Sequence, residues 1–221
     1  MTSRPRRSGR LALSVLAGVA TPIVIIGAVV AVFLTPAWID FEQRRSGVAA
    51  ITGFTPDQVR QVTGSILSDL VFGPPTFAIR LDGWPVLDAA ERSHMADVRG
   101  VLVVFGVVFV AATGTLLAIL VANRRAAWPW RAAARGSAAL TLATLVVGVA
   151  AVLFFGTAFL AFHLFFFPQG DFAFDPRTQR LVQLFPERFW SDTALVLGAV
   201  LIVVAAVTAG FAEGRARRLP D

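Results

Sequence analysis

Four long apolar runs constrain the fold of this 221-residue chain more than any other sequence feature. They cover residues 11–34, 101–122, 138–160 and 193–212. A helix needs about 20 apolar residues to cross a hydrocarbon core of about 30 Å, and each run reaches that length. Only 15% of the residues are charged, whereas soluble domains have about a quarter. The runs therefore predict an all-α membrane protein with four transmembrane helices and exclude a water-soluble globule and a disordered chain.

The distribution of arginine predicts the orientation of these helices. The chain has no lysine, and eleven of its 20 arginines lie at the two termini and in the 123–137 connection, beside only two acidic residues. The other two connections hold nine arginines and twelve acidic residues. The positive-inside rule then places both termini in the cytoplasm, with the first run kept as a signal anchor. This topology accounts for the sequence pI of about 11.5, so no nucleic-acid partner is predicted.

The two external connections, residues 35–100 and 168–192, are predicted to form a small extracytoplasmic cap on a single membrane domain covering residues 1–221. The Thr55–Gln58 sequence has an N-cap, a proline at the first helical position and a capping-box glutamine. Apolar residues then recur at helical spacing, which predicts an amphipathic helix on the membrane surface. Residues 77–81 alternate weakly, as in a short strand. A second capping box, at Asp88 and Glu91, is expected to open a helix that runs unbroken into the second span.

The chain contains two histidines, His94 and His163. One continuous helix over residues 138–167 would be about 45 Å long, so His163 would emerge near the outer headgroups, at a depth similar to that of His94. Ionisable groups at such a depth favour a functional site, and we predict that both histidines are catalytic. The alternative is two interfacial histidines with local hydrogen bonds only.

Four charged residues are candidates for supporting or orienting groups: Asp97, Glu91, Arg99 and Asp171. Asp97 follows His94 by three residues and shares its helical face, so it could orient the imidazole or form a surface pair. Arg99 could stabilise an oxyanion or bind lipid headgroups. Zinc held by the two histidines with Asp97 and Asp171 is conceivable, but no H-x-x-x-H or H-E-x-x-H spacing occurs, so no metal site is predicted.

The sequence offers no obvious covalent nucleophile. Cysteine is absent, no serine lies in a G-x-S-x-G elbow, and no glycine-rich phosphate loop is present. Aromatic residues are dense around His163 and beyond it, which is typical either of a lipid-facing surface or of a pocket for an acyl chain. The residues predicted to line such a pocket are Phe162, Phe166, Phe172, Phe174 and Trp190.

Four motifs in order give the chain a family resemblance. They are His94–Val98 (HMADV), Phe162–Phe166 (FHLFF), Phe172–Pro176 (FAFDP) and Phe185–Trp190 (FPERFW). With four apolar runs around them, the sequence resembles the lipoprotein intramolecular transacylase family of bacterial integral membrane proteins. The two family histidines match His94 and His163.

The resemblance implies an acyl transfer within one substrate molecule. A diacylglyceryl-modified lipoprotein would move its sn-2 acyl chain to the amino group of its N-terminal cysteine, giving a lyso-form lipoprotein. The expected place is the bacterial cytoplasmic membrane, with the active site on the extracytoplasmic face, the lipoprotein and membrane lipids as partners, and no cofactor.

Physical chemistry is compatible with that reaction. The cyclic intermediate has about eight atoms, so orientation is the main task. The α-ammonium, whose pKa is about 7.7–8.0, must lose a proton and the leaving glyceryl oxygen must gain one. Histidine side chains can act as base or acid near neutrality, and which histidine does which stays open. Two alternatives remain: a non-catalytic membrane module whose cap binds a protein or lipid, and a phospholipid acyltransferase or lipase.

Overall fold

The computed structural model describes residues 7–74, 76–170 and 172–220. Within these ranges the chain forms nine α-helices and one two-stranded sheet. The elements in order are α1 (Arg7–Phe33), α2 (Pro36–Arg45), α3 (Val48–Thr52), α4 (Pro56–Val71), β1 (Arg80–Leu81), β2 (Trp84–Pro85), α5 (Ala89–Ala122), α6 (Trp128–Leu153), α7 (Phe155–Phe166), α8 (Arg180–Leu184) and α9 (Glu187–Ala216).

Four segments of the described chain are long and apolar enough to cross a membrane. They are Gly9–Phe33, Ala89–Ala122, Trp128–Leu153 and Glu187–Arg217. The prediction of an all-α protein with four transmembrane helices is therefore confirmed. The helix that begins after Asp88 also runs without interruption into the second span, as predicted.

The third span differs from the prediction of one helix through residues 138–167. Phe154 has φ −136° and ψ 48°, outside the helical region, and it separates α6 from α7. The predicted span 138–160 therefore covers most of α6 and the first residues of α7. His163 lies on α7, a separate helix of 12 residues.

The chain divides into two compact units, each assembled from separate stretches of sequence. The first unit consists of Met1–Val30, Phe105–Val149 and Leu197–Asp221. In it, α1 and α6 approach so closely that a Cβ atom on Gly136 would clash with the carbonyl oxygen of Gly18. Glycine at this position permits the backbone contact, as small residues do between membrane helices.

The second unit consists of Ala31–Val104 and Ala150–Val196. Helix α4 starts at the predicted capping box, since the Thr55 hydroxyl accepts from the Gln58 backbone N–H and the Gln58 side chain accepts from the Thr55 N–H. Its apolar face is buried in the core of this unit. The residues of that core are Val48, Val59, Val62, Ile66, Leu70, Phe77, Ile79, Val86, Leu87, Met95, Leu181 and Leu184.

This core corrects one prediction about α4. The amphipathic helix exists, but protein covers its apolar face, so that face does not rest on the membrane surface. The apolar side chains of α4 pack against partners from the 77–87 segment, α5 and α8, which come from distant parts of the sequence. Burial against these partners satisfies the same amphipathic pattern that a membrane surface would.

The predicted 77–81 strand is shorter than expected. Only Arg80 and Leu81 pair, antiparallel, with Pro85 and Trp84. Phe77 has φ 45°, a left-handed conformation that a strand residue does not adopt. The ring of Phe77 is instead fully buried in the core of the second unit.

Candidate active site

The two histidines of the sequence lie side by side in the second unit. His94 is near the start of α5 and is buried, whereas His163 near the end of α7 is half-buried. Their ring centroids are 6.1 Å apart, with an angle of 22° between the ring planes. The two rings are therefore close enough for neighbouring groups of one bound molecule to lie beside both imidazoles.

A backbone carbonyl fixes the tautomer of His163. Its Nδ1 lies 2.8 Å from the carbonyl oxygen of Phe159, one helical turn earlier. Because a carbonyl oxygen only accepts, Nδ1 carries the hydrogen and donates it. In the neutral ring Nε2 is then the unprotonated nitrogen, which suits it to take a proton from a substrate.

Aromatic rings surround the imidazole pair. Phe167 contacts both histidines, with its ring centroid 4.8 Å from that of His94 and 5.7 Å from that of His163. The ring centroid of Phe174 lies 5.5 Å from that of His94. The ring centroids of Phe172 and Phe159 lie 5.0 Å and 4.1 Å from that of His163. The histidines thus lie in apolar surroundings, where hydrogen bonds and charges act more strongly than in water.

The five predicted pocket residues do not all reach the histidines. Phe172 and Phe174 contact them directly, and the ring centroid of Phe162 lies 5.5 Å from that of His163 in a T-shaped arrangement. Phe166 contacts Phe162 and lies one ring further out. Trp190 touches Phe159, with ring centroids 6.4 Å apart, so it reaches His163 through an intervening ring.

Sequence reasoning missed two rings of this enclosure, Phe159 and Phe167. Neither is among the residues that the sequence predicts to line the pocket. Both are four residues from His163, and a spacing of four brings side chains together on one helical face. That spacing was the available signal.

Asp97 and Asp171 are two of the three acidic residues among the supporting candidates. Asp97 is half-buried, and its Oδ2 accepts a hydrogen bond from Gln169 Nε2 at 2.8 Å. This bond joins α5 to the turn after α7. Asp171 lies outside the described residues, so its part in the site stays a prediction.

Glu91 connects two elements of the second unit. Its side chain is buried, at 1% exposure, and its carboxylate accepts from the Leu181 backbone N–H at 2.6 Å and from the Asp88 backbone N–H at 2.7 Å. Glu91 N–H donates to Asp88 Oδ1 at 2.8 Å, which completes the predicted capping box. Glu91 therefore fixes the start of α8 against the first turn of α5, three residues before His94.

Arg99 binds the end of another helix. Its Nη1 donates to the carbonyl oxygens of Asp69 and Gly73, at the C-terminal end of α4. A cation there satisfies carbonyls that lack helical partners and complements the helix dipole. These contacts favour a structural role for that nitrogen over contact with an oxyanion or a headgroup.

Metal ligands do not gather around the histidines in the part of the chain that the structure describes. Across 7–74, 76–170 and 172–220, no group of three or more histidine or acidic side chains is close enough to hold a metal ion.

A family model shows which family this chain belongs to. The model for "Lipoprotein intramolecular transacylase Lit" matches residues 15–190, well over half of the chain. This chain belongs to the lipoprotein intramolecular transacylase family. It is therefore an acyltransferase that is integral to the membrane. The motifs around His94 and His163 lie within the matched residues, and a search of curated proteins gave no sequence match.

Solved structures share the transacylase fold. A structure of the membrane integral lipoprotein intramolecular transacylase Lit from Bacillus cereus has a TM-score of 0.80 and 14% identity, covering 96% of this chain and 98% of that chain. Two further structures of the Bacillus cereus protein carry a histidine substituted by arginine or by alanine. Each has a TM-score of 0.75 and 15% identity, and they cover 96% of this chain and 93% or 95% of their own.

Proposed function

We propose that this transacylase moves an acyl chain within a diacylglyceryl-modified lipoprotein. The sn-2 acyl group leaves its glyceryl oxygen and is bonded to the α-amino group of the N-terminal cysteine, giving lyso-form lipoprotein. The observation that carries the proposal is the pair of imidazoles 6.1 Å apart, enclosed by phenylalanine rings. Family membership favours this reaction over a non-catalytic binding module.

We further propose that His163 is the general base and His94 the general acid. The neutral amine attacks the ester carbonyl, and His163 Nε2 accepts the N–H proton because its Nδ1 donates to Phe159. As the C–O bond breaks, protonated His94 gives its proton to the glyceryl oxygen. After the reaction His163 is protonated and His94 is neutral. Transfer of one proton from His163 to His94 restores the starting state of the pair.

Much of the rate enhancement in this scheme comes from orientation. The amine and the ester belong to one molecule, so the site has to hold them in a near-attack geometry, which can supply up to about 7–11 kcal/mol. The exposed Phe162 and Phe166 extend the aromatic surface from His163 along α7. An acyl chain lying along these rings would stay in apolar surroundings while its carbonyl reaches the histidines.

The proposed location is the bacterial cytoplasmic membrane, with both termini in the cytoplasm and the histidines on the extracytoplasmic side. The support is the charge distribution, since the two termini and the 123–137 connection, all assigned to the cytoplasm, together hold eleven arginines and two acidic residues. Membrane lipids surround the spans, and the exported lipoprotein meets the site on the outer face.

The experiment that tests the function uses the purified protein in vesicles with a synthetic diacylated lipopeptide. Mass spectrometry should show a product of unchanged mass, whose fragments carry an N-acylated cysteine and a lyso-glyceryl group. Unchanged mass identifies an intramolecular transfer. Release of free fatty acid would instead indicate a lipase, and a gain of one acyl chain from vesicle lipid would indicate a phospholipid acyltransferase.

A further inference from the structure

One phenylalanine is in contact with both imidazoles. Phe167 is 3% exposed, and its ring lies against His94 on α5 and His163 on α7. No motif of the sequence singled out this residue. Any shift of its ring changes the space next to both histidines at once.

The backbone around Phe167 forms a tight turn that ends α7. The Phe167 N–H donates to the His163 carbonyl oxygen at 2.7 Å, and the Gly170 N–H donates to the Phe167 carbonyl oxygen at 3.0 Å. Gly170 has φ 81°, a left-handed conformation that glycine adopts at no steric cost. The turn therefore fixes Phe167 relative to His163.

A side-chain hydrogen bond joins the same turn to α5. Gln169 Nε2 donates to Asp97 Oδ2 at 2.8 Å, and Asp97 follows His94 by three residues on the α5 helix. His163 is thus linked through the turn to Asp97, which lies on the same helix as His94. These links hold α5 and α7 at a set distance.

We propose that Phe167 is a positioning residue, which sets the separation and mutual angle of the two imidazoles, and that the Gln169–Asp97 hydrogen bond holds it in place. This inference rests on the proposed two-histidine reaction and assigns its geometry to particular residues. A displacement of about 1 Å in a reacting geometry can cost roughly 10²-fold in rate, so a loosened turn should lower kcat.

The first variant removes the ring. Phe167→Leu should lower kcat for lyso-product formation by about 10- to 100-fold and change KM by less than about threefold, because it displaces acid–base groups without altering the acyl surface. Phe165→Leu is the matched control, since Phe165 is 78% exposed near the end of the same helix. It should keep wild-type kcat. Wild-type kcat in Phe167→Leu would overturn the proposal.

The second set of variants reverses the hydrogen bond. Gln169→Glu places a carboxylate against Asp97, and like charges repel, so kcat should fall by at least about tenfold. Adding Asp97→Asn lets the amide introduced at position 97 donate to the carboxylate introduced at position 169, and kcat should recover to within about threefold of wild type. If Asp97 acted on His94 through its charge alone, the double variant would be no better than Gln169→Glu. That result would contradict the role given to this bond.

A spectroscopic measurement tests the positioning without relying on turnover. The chain has two histidines, so histidine-selective ¹⁵N labelling gives signals from those two rings alone. Phe167→Leu and Gln169→Glu should shift the signals of both histidines, because the Phe167 ring lies against both, whereas Phe165→Leu should shift neither. If wild type forms no lyso product, the proposed function fails while these shifts still decide the positioning role.

Discussion

At the scale of single residues, the imidazoles of His94 and His163 are the groups that the proposed reaction depends on most directly. Each removes or supplies one proton, a contribution of roughly 10²- to 10⁴-fold in rate. His94→Ala and His163→Ala should each lower kcat by such a factor. Because both proton transfers belong to one reaction, the double variant should be little slower than the slower single variant. Lyso-product formation by the reconstituted variants is the measurement.

Ser65→Ala is the matched control for these substitutions. Ser65 is exposed on α4 and its hydroxyl donates to the Gln61 carbonyl oxygen, so this variant should keep full activity. A double variant far slower than either single variant would show that the two histidines act independently.

The sequence indicates both histidines as candidate site residues, because their residue type and predicted depth stand out in an apolar chain. For Phe159 and Phe167 the local signal is their spacing of four from His163, and this spacing alone does not separate them from the other candidate rings in a chain with nineteen phenylalanines. Which rings face an imidazole depends on where α7 begins and ends, and tertiary contacts decide that. Similarly, Arg99 has the charge to stabilise an oxyanion, but the end of α4 provides acceptors that the sequence does not place.

At the scale of helices, Glu42 on α2 gives a pH-dependent prediction. Burial raises the pKa of this carboxyl above its ordinary value; Arg45 opposes that shift and Asp192 adds to it. The folded state therefore binds a proton more tightly than the unfolded state, and the carboxylate form lowers stability at neutral pH. Glu42→Gln should raise the Tm at pH 7. The difference in Tm between wild type and Glu42→Gln should shrink as the pH falls through the folded-state pKa of Glu42. The carboxyl of Glu42 is then protonated and neutral, like the amide that replaces it.

Asp88 before α5 should show the opposite sign. The Glu91 backbone N–H, followed by the Gln179 side chain, lowers the pKa of Asp88. Its stabilisation is present above its unfolded pKa, about 3.9, and is lost as the pH falls through the lower folded pKa. Asp88→Asn should therefore lower the Tm at pH 7 and have no effect in strong acid. Thermal unfolding measured from pH 7 down into strong acid, below the ordinary carboxyl pKa values of about 3.9–4.3, tests both variants. A change of Tm in the same direction for Glu42→Gln and Asp88→Asn at pH 7 would contradict the assignment.

Glu91 supports a second prediction about helices. Its carboxylate accepts from the backbone N–H groups of Leu181 and Asp88, and a buried donor left without a partner costs about 1–3 kcal/mol. Glu91→Ala should lower the Tm and speed amide exchange in α8. Glu187→Ala removes a carboxylate from the first turn of α9 and should leave exchange in α8 unchanged. Unaltered exchange at Leu181–Leu184 in Glu91→Ala would show that this link does not hold α8.

Helix starts were predicted better than helix ends or partners. The capping boxes at Thr55 and Asp88 are local signals, and both helices begin where those signals place them. The break at Phe154 has no such mark, since no proline interrupts residues 138–167 and the apolar run continues through it. The apolar face of α4 is equally ambiguous, because membrane and protein core satisfy the same spacing.

At the scale of the whole molecule, the arginine distribution predicts the orientation of the four spans, with both termini in the cytoplasm. Because the chain has no cysteine, single cysteines can be introduced at exposed positions and labelled with a membrane-impermeant maleimide on intact cells. Gln61→Cys and Thr178→Cys lie in the connections assigned to the outer face. Arg125→Cys lies in the connection assigned to the cytoplasm, and Pro220→Cys in the C-terminal segment, which is assigned to the same side.

We expect the first pair of cysteines to be labelled on intact cells and the second pair only after the membrane is permeabilised. The structure adds a check within the first unit, because the Ala127 N–H donates to the Pro220 carbonyl oxygen at 2.9 Å. The 123–137 connection and the C-terminal segment must therefore be on the same side of the membrane. Labelling of the Arg125→Cys and Pro220→Cys variants on intact cells would show that the orientation is opposite to the one predicted. His94 and His163 would then lie at the cytoplasmic face, where an exported lipoprotein could not reach them.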